Sequence, residues 1–369
     1  MRRRLRIAAL LVAAVTTGAF LVAATGIVSI KASSGHSAIT FWVLEFGKRR
    51  SIATHTLGMD TPNLDEPWLV IKGAGHYHDG CRPCHGAPDL ARPRIPAAMT
   101  PQPAELLERI DVYEPEELFY IVKHGIKFTG MPAWPAQERD DEIYAVVAFL
   151  RELPRLDAES YRRLVHGDEP QQDAVTPFAS VAAAIEPPDV AATSCARCHG
   201  VTGHGRGNGA FPKLAGQKPD YLFRALRAYA SSERNSGIME PIAAALTEAQ
   251  CRQLADYYSG LPGEPPPVDA ALPADAIERG RQIALLGIPE KDVPSCTDCH
   301  GPVGPRRNAA YPLLAGQYAD YVVLQLEQFA AGHRGGSEYA HLMQRAAPRM
   351  SRAEMEAVAA YYAQAASAP

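Results

Sequence analysis

The chain has 369 residues, with 37 lysines and arginines against 41 aspartates and glutamates, a net charge of −4. This balance gives no excess of basic residues, so we expect no nucleic-acid partner. The length predicts two or three domains rather than one.

The first predicted element is a membrane anchor at residues 1–35. Four arginines lie within residues 2–6 and precede an uncharged run from Ile7 to Ile30. At helical rise this run is about 36 Å long, enough to cross a hydrocarbon core of about 30 Å. The arginines should stay in the cytoplasm, which places the chain after Lys31 on the periplasmic face of a bacterial inner membrane. The alternative is a cleaved signal peptide ending near Ala24, although the run is longer than such segments usually are.

Residues 36–65 form a predicted connector. Apolar and aromatic residues, Phe41 and Trp42 among them, cluster between 39 and 46 and are followed by Lys48, Arg49 and Arg50. This pattern fits a helix lying on the membrane surface. It fits equally a connector that packs on the first domain.

One motif then occurs three times. Its pattern is C-x-x-C-H, in Cys81, Cys84 and His85, in Cys195, Cys198 and His199, and in Cys296, Cys299 and His300. This is the attachment sequence of c-type haem, in which both cysteines form thioethers and the histidine is an iron ligand. A zinc site would need a second cysteine pair nearby, and a redox dithiol would need a βαβ setting. We therefore predict three covalently attached haem c groups.

A longer repeat surrounds each motif and defines three domains. A methionine follows the three motif histidines by 46, 40 and 43 residues, at Met131, Met239 and Met343. Internal repetition of this kind marks separate structural units. We predict copy one at 66–168, copy two at 191–262 and copy three at 273–369. Proline-rich linkers at 169–190 and 263–272 separate them.

Each copy is predicted to end in a helix that starts in fixed register with its methionine. Twelve residues after the methionines stand Ile143, Cys251 and Met355, each opening an apolar i, i+3, i+4, i+7 face. Cys251 therefore reads as a buried hydrophobe rather than a reactive thiol. Ser or Thr with Glu or Gln three residues later predicts capping boxes at 247–250 and 351–354, whereas copy one has an acidic first turn at 140–141.

A leading helix precedes the third motif, at Ala274–Leu285. Gly280 lies in its middle, where glycine costs about 1 kcal/mol against alanine, and this predicts close helix packing. Copy two has no clear counterpart of this helix.

The methionines are candidate second axial ligands of the iron. For Met131 the competitor is His124, and Met99 is too near His85 in sequence to reach over the ring. Met239 has no methionine rival in its copy.

For Met343 the rivals are Met350, His341 and His333. Met350 corresponds to Leu246 of copy two and is predicted to pack in the core.

Copies two and three resemble the paired class I domains of di-haem periplasmic cytochromes c. They share Phe211-Pro212-Lys213-Leu214-Ala215-Gly216-Gln217 and Tyr311-Pro312-Leu313-Leu314-Ala315-Gly316-Gln317, each followed by Asp-Tyr opening a helix. Copy one resembles a mono-haem class I cytochrome c over His124–Trp134, although it lacks the Leu-Ala-Gly-Gln segment. The resemblance implies an all-α fold with three helices around each haem, a methionine ligand, and a carbonyl near Pro212 or Pro312 that orients the histidine.

These features predict a membrane-anchored tri-haem electron carrier rather than an enzyme. Its redox protein partners would be a donor dehydrogenase or quinol-oxidising complex and an acceptor oxidase or reductase. The alternative is the tri-haem subunit of a membrane-bound alcohol- or gluconate-type dehydrogenase. A third hypothesis, a haem peroxidase, requires one of the three methionines not to bind iron.

Overall fold

The computed structural model describes residues 2–28, 30–167, 191–200, 202–206, 209–262, 272–301 and 308–365. Across these ranges the regular structure is helical, and paired extended residues form only isolated bridges such as that between Arg234 and Arg334. The predicted all-α fold is confirmed. Both predicted linkers, and the stretch where copy two would have a leading helix, lie almost wholly outside the described residues.

Two exposed helices open the chain. Helix α1 spans Arg2–Thr25 and buries no residue, and it is the one helix of the described ranges that is long and apolar enough to span a membrane. It ends five residues before the predicted Ile30, because Gly26 turns the chain with a φ of 63°. Helix α2 spans Ala38–His55 and starts at a Ser37 cap, whose side chain accepts from the Thr40 amide.

Helix α2 differs in exposure along its length. Its first half exposes large hydrophobic residues, with Trp42 stacked on Phe46 at 5.6 Å between ring centroids. Its last turn packs on copy one, where Ile52 is buried and His55 stacks on Tyr120.

Copy one contains helices α3 Pro67–Gly80, α4 Pro115–His124, α5 Asp140–Glu152 and α6 Ala158–His166. Its core lies between α3 and α5. These helices cross so closely that a Cβ on Gly73 would stand only 1.9 Å from the Ala145 carbonyl oxygen. The predicted inward face of α5 is confirmed, since Ile143, Val146 and Val147 are fully buried.

Copies two and three repeat one helix order. Copy two contributes α7 Pro219–Ala230, α8 Met239–Ala244 and α9 Glu248–Gly260, and copy three contributes α10 Ala274–Leu286, α11 Ala319–Ala330, α12 Ala340–Ala346 and α13 Arg352–Gln364. Gly280 of α10 repeats the close crossing, because a Cβ there would lie 1.9 Å from the Ala357 carbonyl oxygen. The predicted packing role of Gly280 is confirmed.

The ends of the terminal helices also match the sequence predictions. Thr247 with Gln250, and Ser351 with Glu354, form reciprocal capping boxes at the starts of α9 and α13. Cys251 is completely buried at the head of the α9 apolar face, as expected for a small hydrophobe.

A reciprocal pair of glutamines joins copies two and three. The side chain of Gln217 accepts from the Leu313 amide at 2.9 Å and donates to the Leu313 carbonyl at 2.9 Å. The side chain of Gln317 makes the same two bonds to the backbone of Lys213, both at 3.0 Å. Both glutamines are buried, so these bonds fix the two copies against each other.

Candidate functional site

The three motif histidines share one hydrogen-bond arrangement. Each Nδ1 lies against a backbone carbonyl oxygen: His85 against Ala104 at 3.0 Å, His199 against Pro212 at 3.0 Å and His300 against Pro312 at 2.9 Å. A carbonyl only accepts, so Nδ1 carries the proton and Nε2 presents its lone pair. This is the tautomer and the fixed ring orientation that a metal-ligating histidine needs.

The proline carbonyls were anticipated for copies two and three, but the acceptor in copy one was not. Ala104 follows Pro103 in a loop without the Leu-Ala-Gly-Gln segment that marks the equivalent position elsewhere. Burial lowers the pKa of His85 and of His199, which favours the neutral imidazole that coordinates iron.

The motif cysteines lie in apolar surroundings that disfavour thiolates. Burial raises the pKa of Cys81 and of Cys195 to about 12 and that of Cys296 to about 11. Thiols of this kind are poor redox nucleophiles and poor zinc ligands. The described part of the chain also contains no cluster of three or more His, Cys, Asp or Glu side chains that could hold a metal ion. The apolar surroundings of the cysteines are compatible with thioether attachment of a haem.

One cavity of about 970 Å³ joins copies two and three. It brings together the motif and the methionine of both copies, namely Cys195, Cys198, His199, Met239, Cys296, Cys299, His300 and Met343. Most of the remaining lining is apolar, including Phe211, Leu254 and Val358. An apolar space that places a histidine and a methionine of each copy in its wall fits two haem groups.

Two buried arginines stand in the wall of the same cavity. Arg234 of copy two donates to the Tyr321 hydroxyl at 2.9 Å, and Arg334 of copy three donates to the Tyr221 hydroxyl at 2.9 Å. Surrounding tyrosines, Tyr229 among them, raise the pKa of Arg234 despite its burial. Buried guanidinium groups are suited to pair with the carboxylates that a haem carries.

Met131 lies in a loop of copy one that is held by its own backbone. The Ile126 amide donates to the Met131 carbonyl at 3.2 Å, and the Met131 amide donates to the Thr129 hydroxyl at 3.1 Å. The rival His124 is exposed at the end of α4. The side chain of Met99 also contacts this loop, so closely that a Cβ on Gly130 would stand 1.9 Å from the Cε of Met99.

The rivals of Met343 occupy other positions. His341 is exposed, and neither it nor His333 lines the cavity. Met350 is buried in the core cluster of copy three and also reaches the cavity wall, which agrees with its predicted packing role. Met343 is half-buried and lines the cavity from α12.

Helix α3 of copy one also borders the second motif, which the sequence did not reveal. A Cβ on Gly75 would lie 3.5 Å from the Cys198 sulfur, and Asp79 forms a short ion pair with Arg197, both oxygens at 2.5 Å. His76, on the same face, is 5% exposed and lines the cavity, with neither ring nitrogen hydrogen-bonded. Its burial places this histidine in the interface between the copies.

Two protein families match the chain. Residues 70–150 match the family described as cytochrome c oxidase, cbb3-type, subunit III, and residues 188–261 match the family described as cytochrome c.

Individual relatives match about half of the chain and most of their own length. The thiosulfate dehydrogenase electron acceptor of Thiomonas intermedia is 39% identical over 182 residues, which are 49% of this chain and 81% of that protein. Cytochrome c4 of Thiocapsa roseopersicina is 36% identical over 45% of this chain and 84% of its own. The crystal structure of reduced cytochrome c4 from Pseudomonas stutzeri has a TM-score of 0.44 and 29% identity, covering 49% of this chain and 96% of its own.

Proposed function

The chain belongs to the multi-haem class I cytochromes c, and on that premise we propose that it carries three haem c groups and passes single electrons along a periplasmic respiratory chain. Family membership establishes covalent haem c as its cofactor and electron transfer, rather than catalysis, as its activity. The tautomer shared by His85, His199 and His300 is the observation that supports a count of three.

The proposed binding residues are the motif residues and the methionine of each copy. Each haem would be attached by the two motif cysteines, and its iron would be bound by the motif histidine and by Met131, Met239 or Met343 of the same copy. When bound, the haem iron supplies a one-electron couple, and a methionine ligand raises its reduction potential. The protein holds each imidazole through its carbonyl partner and excludes water with an apolar wall. Rigid ligands and low polarity keep reorganisation on oxidation small.

The comparisons support a direction for the electrons. Copy one matches a family named for an oxidase subunit, and the relatives of the chain include proteins named as electron acceptors of thiosulfate dehydrogenase. We infer that copies two and three accept electrons from a periplasmic dehydrogenase and that copy one delivers them towards a terminal oxidase. The relatives' names favour a dehydrogenase of an inorganic sulfur compound over the alcohol or gluconate type.

The proposed location is the periplasmic face of the inner membrane. Helix α1 would anchor the chain, because its apolar part from Ile7 to Thr25 is about 28 Å long and arginines flank it on one side. Fractionation of cells that express the full chain tests this. Recovery in the membrane fraction after a high-salt wash is expected, whereas a soluble protein that begins near residue 25 would show a cleaved signal peptide.

The experiment that tests the haem assignments is the optical spectrum of the purified full chain with haem counted as pyridine haemochrome. Three haems per chain are expected, with the far-red band of methionine–iron ligation at the strength of three centres. Two haems would contradict the count. A band at two-thirds strength with one centre that binds carbon monoxide would show that one methionine assignment is wrong, and peroxide turnover would then be measured.

A further inference from the structure

We propose that Glu142 is a positioning residue that links the loop of copy one around Met131 to the loop of copy two that leads into Met239, so that the stability of one methionine ligand depends on the other. This inference rests on the proposed roles of Met131 and Met239 as iron ligands.

The carboxylate of Glu142 lies in the interface between the two copies and is 2% exposed. On one side it accepts from the indole Nε1 of Trp134 at 3.1 Å, and Trp134 stands three residues after Met131. The Arg139 guanidinium, 3.1 Å away, supplies the compensating positive charge. Buried carboxylates need such partners, so the group is fixed in place.

The other side of the same carboxylate holds copy two. It accepts from the Ser236 hydroxyl at 2.6 Å and from the Gly237 amide at 2.7 Å. The Ser236 hydroxyl in turn accepts from the Met239 amide at 3.1 Å. A continuous chain of hydrogen bonds therefore runs from Trp134 through Glu142 and Ser236 to the backbone of Met239.

The approach of the two loops is close as well as polar. A Cβ on Gly237 would stand 2.3 Å from Nε1 of Trp134, so the indole lies directly on the copy-two backbone. Neither loop can move without breaking bonds to the same buried carboxylate. Packed and fully bonded networks of this kind transmit displacement between sites.

The other copies use the equivalent position differently. Glu142 is the third residue of α5, and the third residues of α9 and α13 are Gln250 and Glu354. Those two close the capping boxes of their own helices, whereas Arg139, the residue that precedes α5, provides no side-chain cap. The residue type that caps its own helix in copy three is turned towards the neighbouring copy here. Glu354 is therefore a matched control.

The test follows the far-red methionine–iron band of the oxidised full chain during titration with guanidinium chloride. In Glu142→Gln, the equilibrium constant for loss of the methionine ligands should rise about tenfold for two-thirds of the band amplitude. The reason is that both loops lose charge-assisted hydrogen bonds. Ser236→Ala, made from the copy-two side, should shift the same two-thirds and decides the question if Glu142→Gln does not fold. Glu354→Gln should shift at most the one-third of the band amplitude that belongs to copy three.

A purely local role for Glu142 would shift only the one-third that belongs to copy one, and that result overturns the link. A titration unchanged from wild type, or a shift spread over all three centres, overturns it too. Failure of the proposed ligands themselves looks different, because the unmutated protein would then lack full band strength before any denaturant is added.

Discussion

The close crossing of α3 and α5 gives a quantitative test of the packing in copy one. Gly73→Ala would place a methyl group 1.9 Å from the Ala145 carbonyl oxygen and 2.7 Å from the Cβ of Phe149, well inside van der Waals contact. Overpacking of this kind costs about 1–3 kcal/mol, and two clashes favour the upper end. Better helix propensity returns about 1 kcal/mol. The net loss is about 2 kcal/mol, which in a domain of this size lowers Tm by roughly 10 °C.

Differential scanning calorimetry of the full chain measures this loss as a fall in Tm. The matched control is Gly80→Ala in the same helix, where a Cβ meets nothing within 4 Å and the Tm should stay level or rise. Gly280→Ala should lower the transition of copy three by a similar amount, because its geometry is the same. If Gly73→Ala melts at or above the wild-type temperature, the helices can separate without cost and the reasoning fails.

Other perturbations test the caps and the joint between copies. A hydrogen bond from Lys291 lowers the pKa of Glu354 to about 2. The ionised carboxylate therefore stabilises copy three above about pH 4.5, and this stabilisation is lost as the pH falls towards 2. Glu354→Gln should flatten this pH dependence of the copy-three Tm. Thr247→Ala removes a cap and should cost copy two about 1 kcal/mol in calorimetry. Gln317→Ala removes both bonds to the Lys213 backbone and should cost about 1–3 kcal/mol; unchanged melting of copies two and three would contradict the role of this joint.

Local patterns allowed much of the fold to be predicted. The apolar faces headed by Ile143, Cys251 and Met355 lie inward because helical periodicity is a property of neighbouring residues. The capping boxes followed for the same reason, and the glycine in the middle of α10 predicted close packing without identifying Ala357 as the partner. The predicted end of α1 was five residues too late, because the apolar sequence continues past Gly26 whereas the helical backbone ends at Thr25.

Contacts between distant segments could not be predicted. The carbonyl of Ala104 reaches His85 through a loop whose sequence has no counterpart in the other copies. The burial of His76 and the contacts of Glu142 depend on how copy two docks on copy one, which no local pattern encodes. One signal was available. Glu142 is of the residue type that closes a capping box, yet the residue three positions before it has no hydroxyl or carboxylate that could complete one.

The glutamine joint has an evolutionary consequence. Gln217 and Gln317 each donate a hydrogen bond to the backbone of the opposite copy, and Arg234 and Arg334 each donate one to a tyrosine hydroxyl of the opposite copy. Such isologous exchange is the geometry of a two-fold homodimer, here between two halves of one polypeptide. Fusion of two such subunits makes their association independent of protein concentration. It also lets each half mutate separately, so that the two halves need not stay identical.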